Sequence, residues 1–486
     1  MKKTSRILLL ALGLASSAGI TEGFAQQAPT DGTWSLQEAV NYAKANNLQV
    51  RRSFLIKEGN RIDLKQSKFD RLPSLNGSSS YNFNFGTYVD PTTQDLRSES
   101  SQTNSFQLGA NLPLFLGLQR VNAIKQNELE LQASEQEYLS LQNDITIQLI
   151  TSFLNILFAE ELVKLSTQTK DLTNQQLNRT RILFKAGSVA ENAVLDLESQ
   201  LAADDLDLIN AENQRDLSRL TLKQLLNLPA NKDFNIEVPD IPEPDQDPVL
   251  VSLEQVYDVA SQTQPAIKAA ELRVLSAQKG LELARGGFYP RLSMFGGLNT
   301  FYSSARDFRF PESGALRQTT IGFSDSEGTD PFIIYTPTTT FRRETYEYLD
   351  QLKDGVGKNF GFSLQVPILN GLQVRNNVQR AKLQQQDAQI NAEIERNNLR
   401  QTIEQAYVDA LAAQRRYNAA KEQLQAAEKN YNNAQLRLNN GVINTVDFNI
   451  IANNYRAAQS NLLQAKYEYT FKQKVLDFYQ GKDISL

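Results

Sequence analysis

The 486-residue chain has no histidine and no cysteine. Disulfides, Cys/His zinc sites, thiol or imidazole nucleophile pairs and the commonest general base are therefore all excluded. Apolar residues are sparse as well: 41% of the chain is hydrophobic, with one tryptophan, two methionines and a mean hydropathy of −0.43. Globular chains usually hold about 45 to 50% apolar residues, so several deep cores are not expected. A dominant charge is also missing, since 50 Lys+Arg stand against 55 Asp+Glu. The resulting net charge of −5 leaves nucleic acid out of the expected partners. Beyond the N-terminal segment the sequence reads as having no uncharged apolar run of about 18 residues, which argues against a bundle of transmembrane helices. A mature protein of this kind either stays soluble outside the cytoplasm or enters a membrane as β-strands.

The N-terminus reads as a signal peptide over residues 1–25. Lys2 and Lys3 precede the apolar run Ile7 to Leu14, and Gly23-Phe24-Ala25 gives a small-x-small cleavage site before Gln26.

The remainder is two copies of one unit. Ser35-Leu36-Gln37-Glu38-Ala39-Val40 resembles Ser252-Leu253-Glu254-Gln255-Val256-Tyr257 at an offset of 217 residues, which also maps Pro73 onto Pro290. Further along, Leu112-Pro113-Leu114-Phe115-Leu116-Gly117 resembles Val366-Pro367-Ile368-Leu369-Asn370-Gly371, now at an offset of 254, which pairs Gly187 with Gly441. The first copy spans 26–228 and the second 252–486, with a Pro-rich, acidic linker at 229–251 in which Phe234, Ile236 and Val238 suggest a short strand. The growing offset places 37 extra residues in the second copy. They read as a polar loop at about 303–359.

Each copy changes period in a fixed order. Helical spacing from Leu36 to about Leu72 stops at Pro73. Alternation of period two follows, through Tyr81, Phe83 and Phe85 and then Phe106, Leu108, Ala110, Leu112 and Leu114. In the second copy it runs through Leu292, Met294, Gly296 and Leu298 and then Phe360, Phe362, Leu364, Val366 and Ile368. Two hairpins of two strands result. After each comes a very long helix, Leu372 to Leu438 without proline or glycine and its counterpart from about Gln119 to Phe184, each about 100 Å long. A heptad seam runs through Ile403, Ala406, Ala410, Ala413, Tyr417 and Ala420; that of the first copy is more polar, runs from Ile156 to Phe184 and is interrupted at Lys170. Gly187 and Gly441 suit left-handed helix C-caps, and a returning helix follows each.

Four strands cannot close in lipid, because an open edge leaves backbone groups unpaired at several kcal/mol each. A membrane sheet must therefore be shared between copies, two giving 8 strands and three giving 12. The fold class expected is mostly α, with duplicated coiled-coil hairpins and four strands contributed to a shared β-barrel whose Ser and Asn positions face a wet interior. Phe288, Tyr289, Tyr88, Phe301 and Tyr302 sit at strand ends, where an aromatic girdle is expected.

The ordered set of helix, strand pair, very long helix, Gly tip and returning helix, opening on Trp34-Ser35-Leu36-Gln37-Glu38-Ala39, resembles the TolC family of outer-membrane efflux proteins over residues 34 to 481. The resemblance implies a homotrimer in outer-membrane lipid, with a 12-stranded β-barrel, a periplasmic α-barrel of helices, and docking to a periplasmic adaptor and an inner-membrane pump. It also implies that Gly187-Ser188-Val189 and Gly441-Val442-Ile443 are the adaptor-contact tips, and that Asp447 lines the pore entrance. The chain departs from the family pattern at Ile450, where a second carboxylate is common, and at Ile443, where a basic residue sometimes stands. Asp447 also reads as a charge offsetting the helix dipole.

No catalytic constellation and no cofactor or metal site is read. Gly355-Val356-Gly357-Lys358-Asn359 fails as a phosphate loop, lacking the first glycine and the hydroxyl. Asp204-Asp205 and Glu160-Glu161 read as a solvated helix face. Two functions are expected in competition: a passive outer-membrane exit duct for efflux or type I secretion, or a secreted coiled-coil interaction protein with a small sheet.

Overall fold

The computed structural model describes residues 33–89, 96–97, 100–229, 231, 234–237, 252–306, 308–324 and 332–482. The expected signal peptide, most of the linker and residues 325–331 lie outside them. In chain order the elements are β1 (Thr33–Trp34), α1 (Leu36–Asn46), α2 (Leu48–Phe69), β2 (Ser74–Asn84), β3 (Tyr88–Val89), β4 (Leu96–Arg97), β5 (Ser101–Leu116), α3 (Gln119–Lys185), α4 (Glu191–Leu225), β6 (Asn235–Ile236), α5 (Leu253–Thr263) and α6 (Pro265–Arg285). There follow β7 (Arg291–Ser303), β8 (Phe308–Arg309), β9 (Glu312–Ser324), β10 (Phe332–Phe341), β11 (Glu344–Thr345), α7 (Tyr348–Asp354), β12 (Gly357–Gln365), α8 (Gln373–Asn439) and α9 (Thr445–Tyr479). They form two compact units that cut across the two repeats: one holds residues up to 62, 128–276 and 386 onward, the other 63–127 and 277–385.

The helical unit is organised by caps and seams. Ser35 and Glu38 close a capping box at the start of α1, and Ser252 caps α5 through its hydroxyl alone, which accepts from the Gln255 N–H. The single helix expected from Leu36 to Leu72 is broken at Asn47, an extended residue whose side-chain oxygen accepts from the Gln49 N–H. The second copy breaks at the equivalent Gln264, which Pro265 forces out of helical geometry. A core of Trp34, Val40, Ala43, Ile145, Leu149, Phe153, Leu157, Leu222 and Phe234 gathers α1, α3, α4 and the parallel pair β1–β6. One window of α3 is long and apolar enough to cross a membrane. The sequence reading missed it. Its packed side lies in this core, where Ile145, Leu149, Phe153 and Leu157 are buried. The α8 seam is buried as expected, with Ala413, Tyr417 and Ala420 packing on Ala465 and Tyr469 of α9. Phe184, assigned to the first seam, is instead exposed in the last turn of α3.

In the other unit the two hairpins join into one antiparallel sheet of order β12-β7-β5-β2. Phe85, Val366 and Ile368, expected in strands, fall just outside them. Each hairpin passes to its long helix through two consecutive left-handed residues, Gly117-Leu118 and Gly371-Leu372. The segment expected to be a loop at 303–359 is largely ordered structure. It carries the β9–β10 hairpin, the short pair β8–β11 and α7, since Thr and Ile runs supply strand patterning that the polar composition had obscured.

Candidate functional site

The sheet separates its side chains by chemistry. Asn104 pairs with Tyr302, Phe106 with Thr300, Leu108 with Leu298 and Leu112 with Met294, and strand alternation places these pairs on one face. Leu75, Tyr81 and Phe83 of β2 and Phe360, Phe362 and Leu364 of β12 share it. The opposite face carries Asn76, Ser78, Ser80 and Asn82 of β2, Thr103, Ser105 and Gln107 of β5, and Asn359, Ser363 and Gln365 of β12. Ser80 and Ser105 hydrogen-bond across it at 2.7 Å. Phe301, expected in the girdle, lies on this polar face, one residue out of register with Tyr302. A sheet apolar on one side and polar on the other suits a wall between lipid and a wet lumen.

The end of the sheet remote from α3 and α8 is covered by α7. Thr300 Oγ1 donates to the Leu352 carbonyl at 2.6 Å, Asn104 Nδ2 donates to the Tyr348 hydroxyl at 2.8 Å, and the Tyr302 and Tyr348 rings lie 4.7 Å apart. Gln351 is buried, accepting from the Ser303 N–H and donating to the Arg306 and Tyr346 carbonyls. Arg306 and Arg309 lie over the Tyr346 ring, and burial followed by the nearby Asp354 carboxylate pushes the Tyr346 phenol up.

Ion pairs tie the helices of each hairpin together. Lys170 bonds Asp205 at 2.5 Å and Arg219 bonds Glu160 at 2.5 Å between α3 and α4, while Lys472 bonds Asp409 at 2.6 Å between α9 and α8. Lys170, where the apolar seam is interrupted, thus supplies a polar tie between the two helices. The hydrogen bond that Lys170 donates to Asp205 raises the Lys170 pKa, and the one donated by Lys472 lowers the Asp409 pKa. Tyr467 of α9 is pushed up to about 12, first by burial and then by Glu161. Asp204 and Asp205 are not one solvated face. Asp204 is buried at 3% exposure, with Arg456 of α9 at 3.5 Å, and Arg456 also donates to the buried Thr173 hydroxyl at 3.0 Å. Sequence reading missed this link because its three residues sit in separate helices.

The tips end on matching Schellman motifs. The Gly187 N–H bonds Phe184 O and Ser188 N–H bonds Leu183 O; Gly441 N–H bonds Leu438 O and Val442 N–H bonds Arg437 O. Both glycines are left-handed, at φ +74° and +68°. Ser188 is exposed, Val189 half-buried, Val442 exposed, and Ile443 packs toward Phe448 and Ala434. Asn444 caps α9, its side-chain oxygen accepting from the Asp447 N–H at 2.8 Å. Asp447 in the first turn of α9 and Ile450 in the second are neighbours three residues apart and both exposed, whereas Phe448 is buried. Ile182, Phe184, Leu195 and Val446 add exposed apolar surface near the tips; heptad reading hid Phe184 among seam residues. Among the described residues no acidic, His or Cys cluster could hold a metal.

A two-faced sheet of antiparallel hairpins feeding very long helical hairpins defines the class of outer-membrane channels. The chain belongs to the outer membrane efflux protein family, whose profile matches residues 39–228 and 338–482. It is 23% identical to outer membrane protein TolC of Vibrio cholerae over 54% of this chain and 58% of that protein, and 26% identical to outer membrane protein OprJ of Pseudomonas aeruginosa over 54% of each. The matched part thus spans little more than half the length of these curated relatives. The fold is that of the outer membrane protein VceC from Vibrio cholerae, with a TM-score of 0.71 at 14% identity, covering 93% of this chain and 97% of that one. The protein is accordingly one of the outer membrane, with its helical portion in the periplasm. Its family is one of channels rather than enzymes, which form trimers and work with adaptor and pump partners.

Proposed function

We propose that three copies of this chain form a passive outer-membrane exit duct that receives substrate from an inner-membrane pump through a periplasmic adaptor, in tripartite efflux or type I secretion. Gly187-Ser188-Val189 and Gly441-Val442-Ile443 are the adaptor-contact tips, and Asp447 with Ile450 lines the periplasmic entrance. The observation that carries the reading is an asymmetry between the repeats. Leu114 and Phe115, next to β7, are 47% and 41% exposed, whereas their counterparts Ile368 and Leu369 at the free edge are 92% and 91% exposed. The Gly117 turn lies tight against Gly286, while the equivalent Gly371 has nothing within 4 Å of where a Cβ would stand. The second repeat thus lacks the neighbour that the first repeat has, and the next copy supplies it. A soluble coiled-coil protein would leave these residues in water.

The duplication gives the register of that contact. Carrying the β5–β7 pairing through the repeat offsets sets Phe360 opposite Phe83 and Leu364 opposite Ser79 of the next copy. In this cysteine-free chain, Ser79→Cys with Leu364→Cys should yield disulfide-linked trimers on oxidation in the membrane, and Ser79→Cys with Phe362→Cys should not. Monomers alone, or equal linking by both pairs, would overturn the arrangement.

A further inference from the structure

The apolar face of the sheet is not uniformly filled. Below α7 an open groove of about 520 Å³ is floored by Gly77, Ser79, Phe106, Leu108 and Leu298 and bounded by Val356. The notch arises because Gly77 and Ser79 stand where neighbouring rows carry Phe and Leu. On the same face, opposite Leu298, Lys358 is exposed, and its ammonium has no ion pair among the described residues. A cation on a lipid-facing strand is costly unless its stem lies along hydrocarbon and its head reaches an anion at the membrane surface. The groove lies toward the end of the sheet remote from α3 and α8, and so toward the outer leaflet. Thr300, which also lines the groove, holds α7 through the Leu352 carbonyl, and α7 carries exposed Leu349 and Lys353.

We propose that this groove is a lipid site, holding an acyl chain of the phosphorylated glycolipid of the outer leaflet while Lys358 takes one of its phosphates. The site rests on the reading of the apolar face as lipid-facing. Glycine and serine leave room for the chain, Val356 and α7 limit its outward travel, and the lysine sits beside the groove where the phosphate of a lipid lying along it comes within reach. The site selects on charge and on chain together. Its floor reaches edge strand β2, so Leu364 of the next copy, set opposite Ser79, walls the groove on that side while its outward face stays open to lipid.

The test is native mass spectrometry of the full-length protein in detergent, titrated with bis-phosphorylated lipid A, its dephosphorylated form and phosphatidylglycerol. The parent should bind bis-phosphorylated lipid A saturably, and dephosphorylation should weaken it about fivefold, the worth of one lysine near anionic lipid. Lys358→Gln should weaken it to the same degree and remove the sensitivity to dephosphorylation. Gly77→Leu, which fills the notch from a position where, within one copy, a Cβ meets only Leu108 Cδ1 at 3.8 Å, should weaken both forms of lipid A in the fraction that the same spectra show as assembled trimer. Unchanged binding in both variants, non-saturable uptake, or equal affinity for phosphatidylglycerol would overturn the site. Failure of the lipid-facing reading itself would show separately, as a parent protein that stays soluble without detergent.

Discussion

Arg456 holds three helices through one side chain. It meets Asp204 of α4 and Thr173 of α3 from its place on α9, and both partners are buried. Asp204 also accepts from Gln200 at 2.8 Å, so one oxygen is engaged while Oδ2 has no hydrogen bond. Removing the arginine would leave a buried carboxylate without its charge partner, a change that typically costs about 3 to 5 kcal/mol. Arg456→Met should therefore lower the urea midpoint of the purified protein markedly. The double variant Arg456→Met with Asp204→Leu should recover most of that loss, because no buried charge then remains unpaired. Equal midpoints for the parent and the single variant would mean that the charge is solvated after all.

The tips show how an element ends where one residue permits it. Gly441 is left-handed with open space around it, so a side chain there meets no neighbour, and the whole penalty of substitution is conformational. Gly441→Val should cost about 1 to 2 kcal/mol locally and weaken cross-linking to the adaptor while the barrel assembles. Gly441→Asn, which tolerates the left-handed region, should behave as the parent. Parent-like cross-linking and transport by the valine variant would remove this tip from the docking surface. The breaks at Asn47 and Gln264 carry a related lesson. Pro265 announces the second in the sequence, whereas Leu48 hides the first. The offset of 217 residues between them was the signal available for finding it.

At the scale of the whole molecule the β9–β10 hairpin is the part that the duplication does not explain. Among the described residues it pairs only with itself, carries facing hydroxyls at Ser313–Thr340 and Thr319–Thr338, and exposes Leu316 and Ile321. The Arg342 N–H bonds the Pro311 carbonyl at 3.0 Å, so the two ends of the hairpin already touch. Excising Glu312–Phe341 should consequently leave trimer assembly unchanged. Three such hairpins folded over the exit predict a larger single-channel conductance after excision in a planar bilayer. An unchanged conductance would place them outside the path of flow.

What the sequence determined by itself is whatever is encoded in local repetition. The change from helical to alternating period placed the four strands and bounded α3 and α8 to within a residue, Pro73 marked the helix stop, and Gly187 and Gly441 marked turns that only a left-handed residue can close. The family resemblance followed from the order of those pieces. What only the tertiary structure decided depends on partners remote in the chain. Asp204 and Asp205 are adjacent and identical in type, yet Arg456, 252 residues from Asp204, accompanies one into the interior while the other faces Lys170 at the surface. The apolar window of α3 has one side packed in a core because α1, α4 and β6 converge on it. The segment at 303–359 is folded because Gln351 and Thr300 bind α7 to the sheet. Periodicity fixes which face of an element is apolar, but burial is settled by whatever comes to lie against that face.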